Sequence, residues 1–566
     1  GPVRGIGATR GMTPVPTIRH PWRMRQLRGP DARFLYADTG DASANVTLVH
    51  IYDPSTAPGG KVRFKHILAH VEARLHRSPV FRRKLLRVPL ELDYPYWIED
   101  ERFDLEYHVR HIALPAPGDW RQFCIQASRI HARPLDLSRP LWEIHVIEGL
   151  DGLLELPRGS FALLTKIHHA AIDLEAGPEL TMLLHDTTPT PPAPEPPEPW
   201  FPESPPGTLA LLRRSLVNNV ISPLRLARPL ARLATRLAPA AASLVSDVLL
   251  HPDSMPVTRF NAVVSPHRVF ETRRFPLTDV RRIRALVEGA TVNEAVLAIC
   301  AGGLRRYLAH TGELPEASLS AIAPATLRID AGEPPTELVL MRVSLGTHLD
   351  DPVERLAWLH RQALESEAAG RTVPARELTD VERHTPAATL ALAAKLLGGV
   401  ATGAGRRAPL AHCTIANVPG PSEALYLGGA RMTYFSAIMP IADGMGLVFA
   451  VTSYDDMLIV SPTACREQLP DPAFLAQCVR DSFQEYLALA DAARDATGAT
   501  PRRRRAGARA AAPAAGAAAR PRRVRSAPTP ASAAGTAAPA APADRTAATP
   551  ARAARVARRR STAPAR

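Results

Sequence analysis

Residues 161–173 have the sequence Phe-Ala-Leu-Leu-Thr-Lys-Ile-His-His-Ala-Ala-Ile-Asp, and the rest of the chain is arranged around them. The stretch begins with an apolar run, interrupted by Lys166, that predicts a buried strand. The run ends at two adjacent histidines, His168 and His169, and Asp173 lies four residues after the second. Polar groups at the end of a buried strand destabilise a protein unless they are hydrogen-bonded. These three residues are therefore a candidate site.

An imidazole at this position has the chemistry of a general base. The reference pKa of histidine lies near 6.5, so His169 can accept a proton from a hydroxyl or a thiol at neutral pH. Asp173 can supply a charge that holds a ring or a loop in place.

Other roles fit the same spacing. The histidines can serve only to cap hydrogen bonds, and Asp173 can be an ordinary turn residue. A metal site would need a third protein ligand, and the chain contains neither His-Glu-x-x-His nor Cys-x-x-Cys. Spacing alone leaves these alternatives open, although we expect no metal.

The positive charge of the chain is concentrated at one end. The formal net charge is +14 over 566 residues. Residues 501–566 contain sixteen arginines, no lysine and one acid, Asp544, so this tail alone accounts for the excess. Residues 1–500 are close to neutral, and a nucleic-acid-binding body is not indicated. Residues 496–566 are mostly Ala, Pro and Arg and predict disorder, and residues 1–21 are also expected to be disordered.

The cysteines and the hydropathy of the chain indicate the cellular compartment in which the protein is expected. The five cysteines show no pairing or ligand spacing, which predicts small buried side chains in a reducing environment. The oiliest segment, 387–405, is interrupted by Lys395, so no run is long enough to span a bilayer. The N-terminal region has no secretory pattern. We therefore expect a cytoplasmic protein.

Strands alternate with helices in residues 22–186, which predicts an α/β lobe. The expected elements are a half-buried strand at 45–52, helices at 64–76 and 119–133, and a strand at 143–147 that leads through a turn at 149–152 into the strand before His168.

The composition changes in residues 187–254. Residues 187–207 are rich in proline and predict an extended linker. Residues 209–250 are rich in Leu, Ala and Arg, and Pro229 should break or kink any helix there. Two interpretations stay open: helices that pack on the body with a solvated basic face, or a helix that lies on an anionic membrane or lipid surface.

Residues 255–495 are expected to form a second lobe. The predicted elements are helices at 279–287, 292–308, 352–369 and 471–493, a strand at 338–345, a loop at 417–421, and a hairpin of 445–454 and 457–460 closed by Asp455 and Asp456.

A series of further segments follows the order seen in one protein family. These segments are 31–35 (Asp-Ala-Arg-Phe-Leu), 97–100, 103–110, 114–118, 139–150 (containing Pro-Leu-Trp-Glu), 260–261, 265–268 (Ser-Pro-His-Arg), 274–277, 291–298, 417–421 and 453–455. The histidine pair and Asp173 match the HHxxxD motif of the CoA-dependent acyltransferase superfamily. Together with the other segments, the chain resembles the bacterial wax ester synthase/acyl-CoA:diacylglycerol acyltransferase family.

The resemblance implies an α/β fold of two chloramphenicol-acetyltransferase-like lobes with mixed sheets and an inter-lobe tunnel. Acyl-CoA would enter the tunnel from one side and the acceptor alcohol from the other. His169 matches the second histidine of the family and would take the proton of the acceptor hydroxyl as its oxygen attacks the thioester. It would then return a proton to the CoA thiolate, without a covalent enzyme intermediate. Acyl-CoA is a co-substrate, and no cofactor is implied.

The same resemblance assigns roles to neighbouring residues. His168 would make structural hydrogen bonds or take part in the chemistry. Asp173 would form an ion pair that shapes the loop, and Arg328 is a candidate partner. Trp142 and Glu143 would shape the tunnel wall or the core of the lobe, which makes Trp142 a candidate for substrate binding.

Two asparagines are candidates to bind the substrate near the developing oxyanion. Asn293 and Asn417 carry amide groups suited to this, although both can equally serve turns. The chain departs from the family pattern at Leu174, where the family usually has Gly, and at Glu294, where it has Asp.

The leading hypothesis is an O-acyltransferase that moves a long-chain fatty acyl group from CoA to diacylglycerol or a long-chain alcohol. It would work in the cytoplasm, with peripheral contact to the inner membrane face or to lipid inclusions. The alternative, motivated by Leu174 and Glu294, is a divergent, non-catalytic protein that binds acyl lipids. Nucleic-acid binding through the tail is disfavoured. The absence of Gly-x-Ser-x-Gly, Walker and GxGxxG motifs disfavours serine esterases and nucleotide-dependent enzymes.

Overall fold

The computed structural model describes residues 24–153, 156–172, 177–192, 205–218, 255–325, 339–368, 411–418, 420–421 and 423–498. The strands in these ranges are β1 (Arg25–Gln26), β2 (Asn45–Asp53), β3 (Arg83–Leu86), β4 (Tyr96–Glu99), β5 (Val109–Ala113), β6 (Trp142–Glu148), β7 (Phe161–His168), β8 (Arg268–Phe270), β9 (Arg273–Pro276), β10 (Ser320–Ala325), β11 (Val339–Ser344), β12 (Cys413–Val418), β13 (Tyr426–Leu427), β14 (Ala430–Ile438), β15 (Leu447–Tyr454) and β16 (Met457–Cys465).

The helices follow the same order. They are α1 (Gly29–Ala37), α2 (Phe64–Glu72), α3 (Leu105–His108), α4 (Trp120–Ala132), α5 (Gly177–Leu184), α6 (208–218), α7 (Leu277–Arg284), α8 (Val292–His310), α9 (Pro352–Ala368) and α10 (Pro472–Gly498).

The strand that ends at the histidine pair lies inside a six-stranded mixed sheet. The strand order is β13–β14–β2–β7–β6–β5, and every residue of β7 is buried, which confirms the predicted buried strand. Both neighbours of β7 run antiparallel to it. Because His168 pairs with Asn45, the histidines leave the sheet where β2 begins.

The alternating pattern of residues 45–52 predicts a half-buried strand, and this prediction is wrong. Every residue from Asn45 to Tyr52 is buried in the structure. Val49 and Ile51 pack on the side of α4, whereas Leu48 and Tyr52 belong to a second apolar cluster on the other face. The sheet is therefore covered on both faces, and polar residues in this strand must find partners inside the protein.

Lys166, which interrupts the apolar run, is one such residue. Its side chain is fully buried and its ammonium group donates to the carbonyl oxygens of Ile130 and Arg133, at the C-terminal end of α4. A cation at this end is favoured by the helix dipole and by the unpaired carbonyls there. Burial lowers the pKa of Lys166 to about 8, and the nearby carboxylate of Glu143 opposes the shift. Lys166 thus fastens β7 to α4.

The first sheet is completed by strands from the second half of the chain. β14 pairs antiparallel with β2, from Arg431 opposite Asp53 to Ile438 opposite Thr47. β13 then pairs with β14. The segment 255–495, predicted as a separate lobe, therefore supplies two strands to the sheet that carries His168.

The second sheet is also mixed and holds seven strands in the described part of the chain. Its order is β11–β10–β12–β15–β16–β8, and β9 also pairs with β16. β15 and β16 form the predicted hairpin, with Asp455 and Asp456 in the turn at φ 51° and φ 58°. Two positive φ angles are typical of a type I′ turn, which tolerates Asp well.

Helix α8 forms the centre of the second core and packs closely on α10. Gly302 and Gly303 face α10, where a Cβ atom would collide with Ser482 and Val479 respectively. Glycine costs helix stability, but here it permits the two helices to approach. Both helices were expected from apolar spacing, and the structure has them with slightly later ends.

Other predictions have mixed outcomes. The helix predicted at 64–76 ends at Glu72 and is followed by a short 3-10 helix, Leu75–Arg77, whereas α4 matches its prediction closely. All five cysteines are buried free thiols, as predicted. Most of the linker, the basic segment beyond residue 218, and residues 1–21 and 499–566 lie outside the described residues. Among the described helices, none combines the length and apolar character that crossing a bilayer requires.

Candidate active site

His168 is held by hydrogen bonds at both ring nitrogens. It is the last residue of β7 and is buried. Its Nδ1 accepts the N–H of Ala170 at 3.1 Å, so the ring proton lies on Nε2, which donates to Oδ2 of Asp38 at 2.9 Å. A ring that is used on both sides has no nitrogen left for a substrate. These contacts are the structural hydrogen bonds that were one of the two roles considered for His168, and its part in the reaction stays a prediction.

His169 lies just outside the sheet and begins a 3-10 helix, His169–Ala171. Its backbone N–H donates to the carbonyl oxygen of Ala44 at 2.7 Å. The ring stacks on Phe34, with 3.8 Å between the ring centroids and an interplanar angle of 16°. Its Nδ1 is buried without a well-aligned hydrogen bond. The imidazole is thus fixed by its backbone and one face rather than by polar contacts to the ring.

The environment of His169 keeps the ring neutral. Burial lowers its pKa from 6.5 to about 4, and the charge of Arg33 acts in the same direction. The backbone carbonyl of His169 itself opposes the shift, less strongly than burial lowers the pKa but more strongly than the charge of Arg33 does. At pH 7 the side chain is therefore in the form that accepts a proton.

Several buried histidines should make the protein sensitive to acid. Burial lowers the pKa of His70, His169 and His185 to about 4 and that of His131 to about 3. In the unfolded chain these groups bind protons near pH 6.5, so the stability they contribute is fully present above about pH 6.5. It is lost as the pH falls towards 4, by on the order of 1 kcal/mol per pH unit for each protected ring.

We expect the melting temperature to fall steadily between pH 7 and pH 5 at constant ionic strength. Thermal melts followed by circular dichroism measure this slope. His131→Asn should make the slope shallower, and a melting temperature that does not change over this range would contradict the prediction.

Trp142 lies in the core of the first lobe. It is 1% exposed, and its indole N–H donates to the carbonyl oxygen of Phe81 at 3.0 Å. The ring packs edge-on against Phe81 and stacks on His108. Glu143 is also buried, next to Arg110, His145 and Lys166. Trp142 and Glu143 were expected either at the tunnel wall or in the core of the lobe, and the structure has both side chains buried in the core.

The two asparagines lie on elements of the second lobe. Asn293 is in the first turn of α8 and half-buried, and Asn417 is the exposed, next-to-last residue of β12, opposite Val451 of β15. Within the described ranges no hydrogen bond joins either side chain to His169. Their proposed contact with the oxyanion stays a prediction.

Glu294, a departure from the family pattern, has a structural explanation. Its carboxylate accepts the backbone N–H of Thr291 at 2.9 Å, while the Thr291 hydroxyl accepts the N–H of Glu294, so the pair caps α8. The same carboxylate contacts Nδ1 of His360 at 3.1 Å. The extra methylene of Glu suits this capping box. Asp173, Leu174 and Arg328 lie outside the described residues.

Two residues of the site were missed by sequence reasoning. Phe34 lies in a segment that carries the family resemblance, but it received no role. Asp38, which follows the last residue of α1, was not singled out either. The histidine partners of both residues lie more than 100 positions further along the chain, so no local pattern in the sequence indicates these contacts. The described residues contain no group of three or more His, Cys, Asp or Glu able to hold a metal ion.

Comparison with known proteins gives consistent matches. A model described as the wax ester synthase/diacylglycerol acyltransferase catalytic domain matches residues 27–296, and a model of the WS/DGAT C-terminal domain matches residues 337–486. A Mycobacterium tuberculosis (strain H37Rv) protein provisionally named diacylglycerol O-acyltransferase is 33% identical over 481 residues, covering 83% of this chain and 98% of the relative.

A second relative and a solved structure agree. The O-acyltransferase WSD of Acinetobacter baylyi is 32% identical over 404 residues, covering 69% of this chain and 83% of the relative. The structure of the wax ester synthase/diacylglycerol acyltransferase from Marinobacter aquaeolei VT8 is similar, with a TM-score of 0.59 and 25% identity, covering 82% of this chain and 100% of that one. This likeness confirms the predicted two-lobed α/β fold.

Proposed function

The chain belongs to the wax ester synthase/diacylglycerol acyltransferase family and is an acyl-CoA-dependent O-acyltransferase, and we propose that His169 is the general base of its reaction. The observation that carries the proposal is the neutral imidazole of His169, held by its backbone at the end of a buried strand and stacked on Phe34. A ring held in this way can receive a proton without first losing one.

The chemistry follows from the neutral ring. His169 takes the proton of the acceptor hydroxyl while the hydroxyl oxygen bonds to the thioester carbon. The carbon–sulfur bond then breaks, and the imidazolium returns the proton to the CoA thiolate. The products are the ester and free CoA, and the base ends neutral. Binding both substrates next to one ring supplies much of the remaining acceleration, because it removes the entropy cost of bringing them together.

The surroundings of His169 favour transfer to an alcohol over hydrolysis. Phe34 covers one face of the ring, and the protein around the ring leaves little of it exposed to solvent. An acceptor therefore approaches the ring from the side not covered by Phe34. We place the acyl-CoA and acceptor there, in a passage between the two lobes.

The acceptor is a diacylglycerol or a long-chain alcohol. A thiol-release assay with palmitoyl-CoA tests this when it is run with diacylglycerol, with hexadecanol and with water alone, and when the ester is identified. We expect release that depends on a lipid acceptor. Release without any acceptor would indicate a thioesterase, and binding of palmitoyl-CoA without release would support the alternative of a non-catalytic acyl-lipid-binding protein. Of the two departures that motivated this alternative, Glu294 now has a capping role.

We also propose that α6 touches a membrane or lipid inclusion. Its exposed side includes Leu209 (82% exposed), Leu216 (63%) and Val217 (50%), next to the exposed Arg213. Apolar side chains beside a cation suit the interface of an anionic bilayer, where lipid acceptors are found.

Changing Leu209, Leu216 and Val217 to serine should weaken binding to vesicles of neutral and anionic phospholipid at least tenfold. Each buried apolar side chain contributes roughly 1.5–3 kcal/mol when it leaves water completely, and partial insertion contributes less. Vesicle sedimentation measures the partition coefficient. Leu364→Ser, at a 51% exposed position on α9, is the matched control. Equal binding by both variants would remove α6 as the contact.

A further inference from the structure

The carboxylate of Asp38 accepts two hydrogen bonds, and both donor residues also contact the backbone next to His169, the candidate base. Asp38 is the residue directly after α1. Its Oδ1 accepts the backbone N–H of Ala44 at 2.7 Å, and its Oδ2 accepts Nε2–H of His168 at 2.9 Å. Neither contact takes part in the proton transfer described above.

Each contact continues to the backbone beside His169. The carbonyl of Ala44 accepts the N–H of His169 at 2.7 Å. On the other side, Nδ1 of His168 accepts the N–H of Ala170 at 3.1 Å. The Asp38 carboxylate is therefore connected to the peptide groups on both sides of His169, one through Ala44 and the other through His168.

Only a carboxylate satisfies both connections. The ring of His168 must carry its proton on Nε2, because Nδ1 is already an acceptor, so Nε2 needs an acceptor opposite it. The backbone N–H of Ala44 needs a second acceptor oxygen. An asparagine offers one acceptor oxygen and one donor group, so one of the two partners would face a donor.

The loop between Asp38 and Ala44 is also held from the second lobe. Arg268, at the start of β8, is buried and donates to the carbonyl oxygen of Asp41 at 2.5 Å and to that of Ser265. From the first lobe, α1 delivers both Phe34, which stacks on the ring, and Asp38. The segment from α1 to Ala44 therefore contacts both the ring of His169, through Phe34, and its backbone, through Ala44.

We propose that Asp38 is the positioning residue of the acyl transfer, holding the backbone of His169 through Ala44 on one side and His168 on the other. This inference rests on the proposed role of His169 as the base. Asp38 does not touch the reacting atoms, and it acts by keeping the imidazole where the acceptor hydroxyl is presented. Misplacement of a catalytic group by about 1 Å can lower the rate by about a hundredfold.

The test compares Asp38→Asn with Asp53→Asn in the full-length protein. Asp53 lies at the other end of β2, and its carboxylate also accepts a backbone N–H, that of Ser55, at 2.7 Å. We expect Asp38→Asn to lower kcat with palmitoyl-CoA by roughly 10–100-fold while KM for palmitoyl-CoA changes little. Asp53→Asn should keep kcat within about twofold. Equal kcat values for the two variants would overturn the proposal.

A second comparison separates this proposal from the role of His169. If Asp38 acts through His169, Asp38→Asn should not lower the residual rate of a His169→Ala protein any further. A further drop of the same size would mean that Asp38 acts by another route, and the proposal fails. If His169→Ala retains full activity, the proposed base is wrong whatever Asp38 does. Should Asp38→Asn fail to fold, Asp38→Glu keeps both acceptors on a longer arm, and an undiminished kcat in that variant would count against positioning.

Discussion

Replacing His169 by alanine is expected to lower the rate of acyl transfer by about 10²–10⁴-fold, the usual contribution of a positioned general base. The substitution removes the group that takes the proton from the acceptor hydroxyl, and a neutral alcohol attacks a thioester poorly without such a base. Binding of palmitoyl-CoA should change little, because the ring is fixed by Phe34 and its own backbone rather than by a charged contact. Thiol release under saturating substrate measures kcat directly.

A matched control is available on the surface. His66 is exposed on α2, and His66→Ala should leave thiol release unchanged. Loss of the stacking contact with Phe34 costs the His169→Ala protein at most roughly 1.5 kcal/mol, so its circular dichroism spectrum should match that of the unmodified protein. Activity that persists in a folded His169→Ala protein would exclude this histidine as the base.

Replacing Trp142 by alanine should lower the free energy of unfolding by about 3–5 kcal/mol, the range found for large aromatic side chains in a core. Trp142 is almost fully buried, and its removal leaves a cavity between Phe81 and His108. It also leaves the carbonyl oxygen of Phe81 without its donor. Urea denaturation measures the difference in the free energy of unfolding. Trp358→Ala, at a half-buried position on α9, is the comparison and should give a smaller loss.

The same tryptophan was a candidate for substrate binding, and a milder substitution separates the two roles. Trp142→Phe keeps most of the ring volume and loses the bond to Phe81, so we expect a loss of about 1–3 kcal/mol. The preference for acyl chain length should stay the same. A changed preference in a protein of unchanged stability would show that Trp142 faces the substrate.

The histidine pair shows which features of the site can be predicted from the local sequence pattern and which cannot. The buried strand, the turn after it and the two imidazoles follow from one stretch of sequence, because strand burial and turn formation depend on neighbouring residues. The different contacts of the His168 and His169 rings do not follow from that stretch of sequence. Asp38 lies 130 residues before His168, and the pairing of β2 with β7 and the packing of α1 against His169 bring the carboxylate to the ring.

Burial of β2 and the role of Lys166 show the same limit. An alternating pattern indicates one solvated face, but α4 and a second apolar layer cover both faces of β2. Lys166 interrupts an apolar run in the sequence, and its partners are carbonyls at the end of a helix that is remote in the chain. In both cases the deciding neighbours come from other elements.

The sequence by itself determined the α/β class, most helices and strands, the family, and His169 as the candidate base, because these depend on periodicity and on short motifs. The tertiary structure decided that β14 completes the first sheet, that His168 is bound to Asp38, that Phe34 covers the ring of His169, and that Trp142 lies in the core. These facts depend on contacts between residues far apart in the chain, and such contacts exist only once the sheets have formed and packed.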